Sequence, residues 1–239
     1  MTEKAYAIGD LRQRLDDVRE RVAECAERCG RSAREITLVA VSKTHPAEIV
    51  REAIAAGATD FGENRVQEAE IKIPEVSRNQ ARWHLIGHLQ SNKARRAVEL
   101  FDVIHSLDSV ALARRLDRIC TDIDRRDLRV LIQIDLGHEQ TKTGAFEKDV
   151  PEIIAAVKGS EGLSLIGLMT LPPFFDEAEK ARPFFRRLRE MRDEMREQGA
   201  FSDGLGELSM GMTHDYEIAI EEGATMVRIG TAIFGERET

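Results

Sequence analysis

A closed barrel of eight parallel strands, each followed by a helix and with one extra helix ahead of them, is the fold this sequence predicts. Three observations lead there. Strand-like apolar runs alternate with amphipathic helical stretches, and such alternation forces parallel pairing through right-handed crossovers. No GxGxxG follows the first run, although an open doubly wound sheet usually carries that glycine-rich turn. The length, 239 residues, is what one α/β barrel commonly uses as a single unit.

The elements follow in order. An amphipathic helix from about Ala7 to Cys29 ends at Gly30, the residue that best tolerates a helix stop. Ile36 to Ser42 is a β-branched run of the kind buried on both faces of a parallel sheet. Helix Ala47 to Ala56, stopped by Gly57, leads to strand Asp60 to Glu63, then helix Val66 to Ser77 and strand Arg82 to His88. Helix Asn92 to Leu100, strand Val103 to Leu107, helix Val110 to Asp122 and strand Arg129 to Leu136 continue the alternation. Helix Lys148 to Lys158 and strand Ser164 to Leu171 come next. The stretch Ala181 to Gln198 alternates charge signs and reads as a solvated helix laced by i,i+4 pairs, with Pro183 in its first turn. Strand Glu207 to Met210, helix His214 to Glu222 with Gly223 as its stop, and strand Thr225 to Ile229 complete eight units in one domain, residues 1–239. The echo of Ala53-Ile54 to Thr59 in Ala219-Ile220 to Thr225 fits repeated helix-to-strand units.

Composition narrows the partners. The hydrophobic share of 42% is enough for a large core, while 43 acidic against 35 basic residues give a net charge of -8, which repels nucleic acid and anionic lipid. Neither is expected as a main partner. No apolar run approaches the ~20 residues of a spanning helix, and the amino terminus lacks the apolar centre of a signal peptide, so a cytoplasmic location is expected. Cys25, Cys29 and Cys120 make no disulfide framework. Cys25 and Cys29 lack further ligands, as do His84 and His88, which share one face of a strand; no metal site is expected. Lys93, Arg95 and Arg96 read as a solvent-facing helix. The outer helices offer no apolar seam, so a monomer is expected.

Barrels place their chemistry at the carboxyl ends of the strands. Here those ends carry Lys43, Asn64, His88, Ser106 with Asp108, Asp135, Met169-Thr170, Ser209 to Thr213, and Arg228 to Thr231. An unshifted lysine titrates at about 10.4, but burial can lower that by several units and make the amine a nucleophile. The alternative is an ammonium that snorkels to solvent. Ser209, Gly211, Thr213, Gly230 and Thr231 combine bare backbone with hydroxyl donors after strands seven and eight, a recurrent phosphate position in barrels. Such a cradle beside a lysine suits a phosphorylated aldehyde, either pyridoxal phosphate or a sugar phosphate, captured as a Schiff base. Arg228 shares a strand face with Gly230 and so points toward that neighbourhood.

Longer motifs carry a resemblance. Val39-Ala40-Val41-Ser42-Lys43-Thr44, Phe61-Gly62-Glu63-Asn64 with Val66-Gln67-Glu68, and Trp83-His84-Leu85-Ile86-Gly87-His88-Leu89-Gln90-Ser91-Asn92-Lys93 closely resemble the pyridoxal phosphate homeostasis proteins. So do Gly167-Leu168-Met169-Thr170, Leu208-Ser209-Met210-Gly211-Met212 and Met226 to Gly235. The match spans nearly the whole chain. It implies a (β/α)8 TIM barrel of the alanine racemase type without that enzyme's carboxyl-terminal β-domain. It implies that Lys43 holds pyridoxal phosphate as an internal aldimine, that Ser209, Gly211, Gly230 and Thr231 surround the phosphate, that Arg228 lies beside the pyridine nitrogen and Asn64 near the ring, and that Met212 contributes from the phosphate loop. Arg65 departs from the tyrosine of many relatives, and the resemblance gives His88 no role.

The implied function is a carrier or regulator that buffers pyridoxal phosphate and hands it transiently to dependent apoenzymes. An arginine at the ring nitrogen leaves it unprotonated and weakens the electron sink that carbanion chemistry uses. The sequence ends at Thr239, so a racemase second domain with its tyrosine is not expected, and neither Tyr6 nor Tyr216 sits in a racemase motif. A general acid or base would have to be drafted from His88, Asp135 or Lys142. A small enzyme acting on amino acids, such as a weak racemase, is the alternative, and a cofactor-free Schiff-base aldolase is a third reading.

Overall fold

The computed structural model describes residues 8–137 and 143–236. Ala7, Tyr6, Lys142 and Thr239 lie outside them. The first helix, α1 (Ile8–Arg28), carries Leu11, Leu15, Val18, Val22, Cys25 and Ala26 on one buried stripe at three- and four-residue spacing. β1 (Thr37–Val41), α2 (Ala47–Ala55), β2 (Asp60–Glu63), α3 (Val66–Val76), β3 (Arg82–Leu85) and α4 (Ala94–Leu100) follow. Then come β4 (Val103–Leu107), α5 (Val110–Asp122), β5 (Leu128–Ile134), α6 (Val150–Lys158), β6 (Leu163–Thr170) and α7 (Arg182–Glu197). β7 (Glu207–Met212), α8 (Tyr216–Glu221), β8 (Met226–Ile229) and the one-turn α9 (Thr231–Phe234) close the order.

All eight strands pair in parallel in sequence order, and β8 returns to β1, so the predicted barrel closes. Val39 is the hinge of the register: it faces Asp60 on β2 and Arg228 on β8. α1 packs against α2, α8 and α9 across this closing seam, where Arg14 Nε donates to the Ile233 carbonyl at 2.8 Å and Arg19 donates to the carbonyls of Ala56 and Gly57. The larger core lies between strands and outer helices; a second apolar layer of Val103, Leu131, Ile166, Met169 and Met226 fills the barrel interior.

Three expectations need correction. β3 stops at Leu85 rather than His88, because a side chain at Gly87 would lie 2.2 Å from the Asn64 carbonyl oxygen and the chain there turns against the neighbouring rim loop. His84 is therefore fully buried in the barrel, His88 is exposed on the rim, and the two do not share a strand face. β7 runs on to Met212. The charges of α7 do not form only intrahelical pairs: Arg182, Arg186 and Arg189 all converge on the buried carboxylate of Glu222 beyond α8. Burial works against that carboxylate, yet its bonds to Arg186 and Arg182 hold its pKa below the ordinary value. Pro183 does open α7.

Candidate functional site

Lys43 leaves β1 at the carboxyl rim. The Ser42 amide still donates to the Gly62 carbonyl at 3.1 Å, so the ladder continues one residue past the strand. Alternation then puts Lys43 on the same face as Val39 and Val41, toward the barrel axis, and its side chain is half-buried. Beneath it Ser42 is pinned: its hydroxyl donates to Glu63 Oε1 at 2.7 Å, and Lys72 Nζ donates both to the Ser42 carbonyl at 2.8 Å and to Glu63. Above it Thr44 adopts φ +68°, a left-handed conformation that costs a β-branched residue on the order of 1–2 kcal/mol. Glu68 accepts the Thr44 amide proton at 2.9 Å and His45 N donates to Ser42 O at 3.1 Å. The lysine thus sits between two residues, Ser42 and Thr44, that Glu63 and Glu68 hold in place.

The neighbouring strand ends supply the rest. Asn64 follows β2, half-buried, with its carbonyl pressed against Gly87. Arg228 is buried on β8, across the seam from β1; Nη1 donates to Ser209 Oγ at 2.5 Å and Nη2 to the Thr170 carbonyl at 2.9 Å. Burial lowers its pKa to about 10, with Asp215 acting in the opposite sense, so it remains a cation at neutral pH. Gly230 caps α9 and Thr231, exposed, begins it; the first N–H groups of such a turn precede its internal hydrogen bonds. A Cβ at Gly230 would sit 3.3 Å from the Val41 carbonyl oxygen, so glycine keeps this floor bare beside the Lys43 strand.

Gly211 has φ +90°, and a Cβ there would lie 2.6 Å from that of Ala219 and 2.9 Å from Tyr216 Cα. Only glycine lets β7 fold this tightly onto α8. Met212 follows, 38% exposed, and its N–H is taken by Asp215 Oδ1 at 2.7 Å. Lys43, Asn64, Arg228, Gly230, Thr231, Gly211 and Met212 therefore share one sector of the rim, across β7, β8, β1 and β2. Ser209 differs: it is fully buried two residues below that rim, with its hydroxyl engaged by Arg228 and by His105 Nδ1 at 2.9 Å. It sits behind the arginine.

Sequence reasoning missed what lies deeper. His105 Nε2 is 2.8 Å from His84 Nδ1, and His84 Nε2 is 3.0 Å from Asp60 Oδ1. Asp60 also accepts from Thr59 Oγ1 at 2.7 Å and pairs with Arg82 Nε at 2.8 Å. Burial lowers both imidazole pKa values, that of His105 strongly; it would raise Asp60, but the bond to His84 and the nearby Arg82 bring that carboxyl below its ordinary value. The available signal was a histidine inside the apolar run Val103 to Leu107, since a polar residue in a buried strand is the informative exception. Beside Asn64, an open groove of about 640 Å³ is lined by Arg65, Gln67, Glu68, His88 and Lys93, with His88 Nδ1 3.6 Å from Asp108 Oδ2.

The barrel, with a lysine just past its first strand and a buried arginine on its last, belongs to a known class: residues 13–238 match the family model for the alanine racemase N-terminal domain. The chain is 41% identical over 232 residues to a pyridoxal phosphate homeostasis protein of Aquifex aeolicus, covering 95% of this chain and 98% of that one. It is 43% identical over 239 residues to the protein of the same name in Escherichia coli K12, covering 97% of this chain and 98% of that one. Among solved structures, PipY of Synechococcus elongatus PCC7942 with PLP bound superposes with a TM-score of 0.82 at 39% identity, covering 94% of this chain and all of that one. The chain belongs to the pyridoxal phosphate homeostasis protein family.

Proposed function

We propose that this protein binds pyridoxal phosphate covalently through Lys43 and serves in the homeostasis of that cofactor as its carrier or regulator. The observation that carries the reading is the β8–β1 seam, which sets the Arg228 strand directly against the strand that delivers Lys43. The names of the relatives and the PLP-bound PipY support the ligand. The residues fit it: a net charge of -8 gives no general attraction for a phosphate, so local donors are needed, and the bare backbone at Gly211 and Gly230 with the Thr231 hydroxyl offers them.

When bound, pyridoxal phosphate supplies an aldehyde that an amine can capture and a pyridine ring able to withdraw electrons. Lys43 provides that amine from a turn whose conformation is fixed in advance. Arg228, anchored on two neutral oxygens, turns its remaining donors toward the ring nitrogen and, being a permanent cation, leaves that nitrogen unprotonated. Gly211, Gly230 and Thr231 hold the phosphate, Asn64 contacts the ring, and Met212 contributes its exposed side chain at the rim, its amide being engaged with Asp215. A weakened electron sink favours storage over turnover. The three cysteines are free thiols, in keeping with a reducing cytoplasm where dependent apoenzymes would receive the cofactor from a monomeric donor.

Spectroscopic titration with pyridoxal phosphate, followed by borohydride trapping and peptide mapping, tests the assignment. Wild type should bind and carry the reduced adduct on Lys43, and Lys43→Ala should form none. An unchanged absorbance change in Lys43→Ala would overturn the anchor, and sustained turnover of amino acids at an enzyme-like rate would overturn the carrier reading in favour of a small racemase.

A further inference from the structure

A polar column crosses the barrel interior from Arg82, 45% exposed at the amino end, through Asp60, His84, His105 and Ser209 to Arg228 below the rim. His84, His105 and Ser209 each have no exposed surface. The proton on every link can be assigned by elimination. Arg228 can only donate, so Ser209 Oγ accepts from Nη1. At the other end Asp60 is ion-paired with Arg82, accepts from Thr59 and is an ionised acceptor, so His84 Nε2 must carry the hydrogen. A neutral His84 then offers a lone pair at Nδ1, which makes His105 Nε2 the donor. A neutral His105 offers a lone pair at its own Nδ1, and Ser209 must give its hydroxyl proton there. Both rings are neutral by their surroundings: burial dominates, and the charges facing them are Asp60 on β2, Arg82 on β3, Asp102 ahead of β4 and Arg228 on β8.

We propose that His105 is a positioning residue for the ligand site: by accepting the Ser209 proton at Nδ1 it turns the serine lone pairs onto Arg228 and fixes the guanidinium beneath the Lys43 rim. Two consequences distinguish this from simple interior packing. Ser209 has no proton left for a phosphate, so its part in ligand binding runs through Arg228. The column also has one direction, and a proton added at His84 would reverse it, making His105 Nδ1 the donor and releasing the serine hydroxyl.

The role toward pyridoxal phosphate rests on the function proposed above, and the experiment separates the two. In ligand-free wild type, ¹⁵N spectra of the imidazoles at about pH 7.5 should show both buried rings neutral with hydrogen on Nε2, and the Arg228 guanidinium protons should be protected from exchange. His105→Leu should lose that protection, whereas His105→Asn, which keeps an acceptor in place of Nδ1, should retain it. Loss of this support should weaken pyridoxal phosphate binding about tenfold in His105→Leu, the effect of one hydrogen bond to a charged group, and should move the pH profile of the bound ligand's absorbance. A ring bearing hydrogen on Nδ1 in wild type overturns the assignment, as does a folded His105→Leu with unchanged Arg228 protection. Wild type that shows the neutral rings and protected arginine but binds no pyridoxal phosphate supports the positioning of Arg228 and refutes the ligand instead.

Discussion

Replacing Lys72 by methionine isolates the buried pair beside the Lys43 turn. Lys72 and Glu63 are 7% and 0% exposed, and Glu63 Oε2 has no partner among the described residues even with the pair intact. Burial already raises the Glu63 pKa despite the attraction of Lys72. Without the ammonium the carboxyl must be protonated to stay folded, and at pH 7 that costs about 3.7 kcal/mol relative to an ordinary glutamate, within the roughly 3–5 kcal/mol seen when half of a buried pair is removed. A carboxyl whose folded pKa is raised favours folding below its unfolded value near 4.3, and the advantage disappears as pH rises toward the folded value. The Lys72→Met penalty should therefore shrink to about 1 kcal/mol at pH 5. Urea denaturation of wild type, Lys72→Met and Lys72→Met/Glu63→Gln at both pH values provides the assay. The double variant should recover most of the loss and be insensitive to pH, because glutamine keeps an acceptor for the Ser42 hydroxyl and has no group to ionise. A single-variant loss below about 1 kcal/mol at pH 7, the scale of an exposed pair, or a loss independent of pH, would refute the reasoning.

Gly87→Ala should destabilise by roughly 2–3 kcal/mol in thermal melts and weaken pyridoxal phosphate binding, since its Cβ would displace the Asn64 carbonyl; a neutral result would mean the rim loops yield freely. Thr44→Gly relieves a left-handed threonine and, after glycine's own entropic penalty, should stabilise by up to about 1 kcal/mol in urea titrations, while a clear loss would show the turn to be unstrained. Glu222 has a depressed pKa, so its contribution is complete above the ordinary carboxylate range and disappears as pH falls through the folded value. Glu222→Gln should accordingly lower stability at neutral pH and flatten the acid limb of the stability profile measured by denaturation.

Much of this was legible in the sequence because strand and helix identities here are local properties. Val103 to Leu107 and Val110 to Asp122 end where the residue pattern says they do. β3 was overextended because its stop is set by the Asn64 carbonyl, a contact from another loop. The motif-bearing rim residues, Lys43, Asn64, Arg228, Gly230 and Thr231, do assemble in one sector. The hydroxyl of Ser209, expected beside a phosphate, is engaged by His105, 104 residues away; two side chains that meet only inside a closed barrel leave no spacing to read. The α7 arginines likewise meet a shared carboxylate on the following unit, which the pattern of a single helix does not display.

The closing seam has a bearing on when the molecule can first act. Lys43 follows the first strand and Arg228 lies on the last, and the pairing of β1 with β8 is the one that closes the ring. Lys43 lies near the start of the sequence and Arg228 near its end, and α1 packs against α2, α8 and α9 across the join between their strands. A ring open at this seam would lack the proposed pairing of Lys43 with Arg228. Because a ligand stabilises only the state that binds it, a ligand held across this seam as proposed would favour the closed ring.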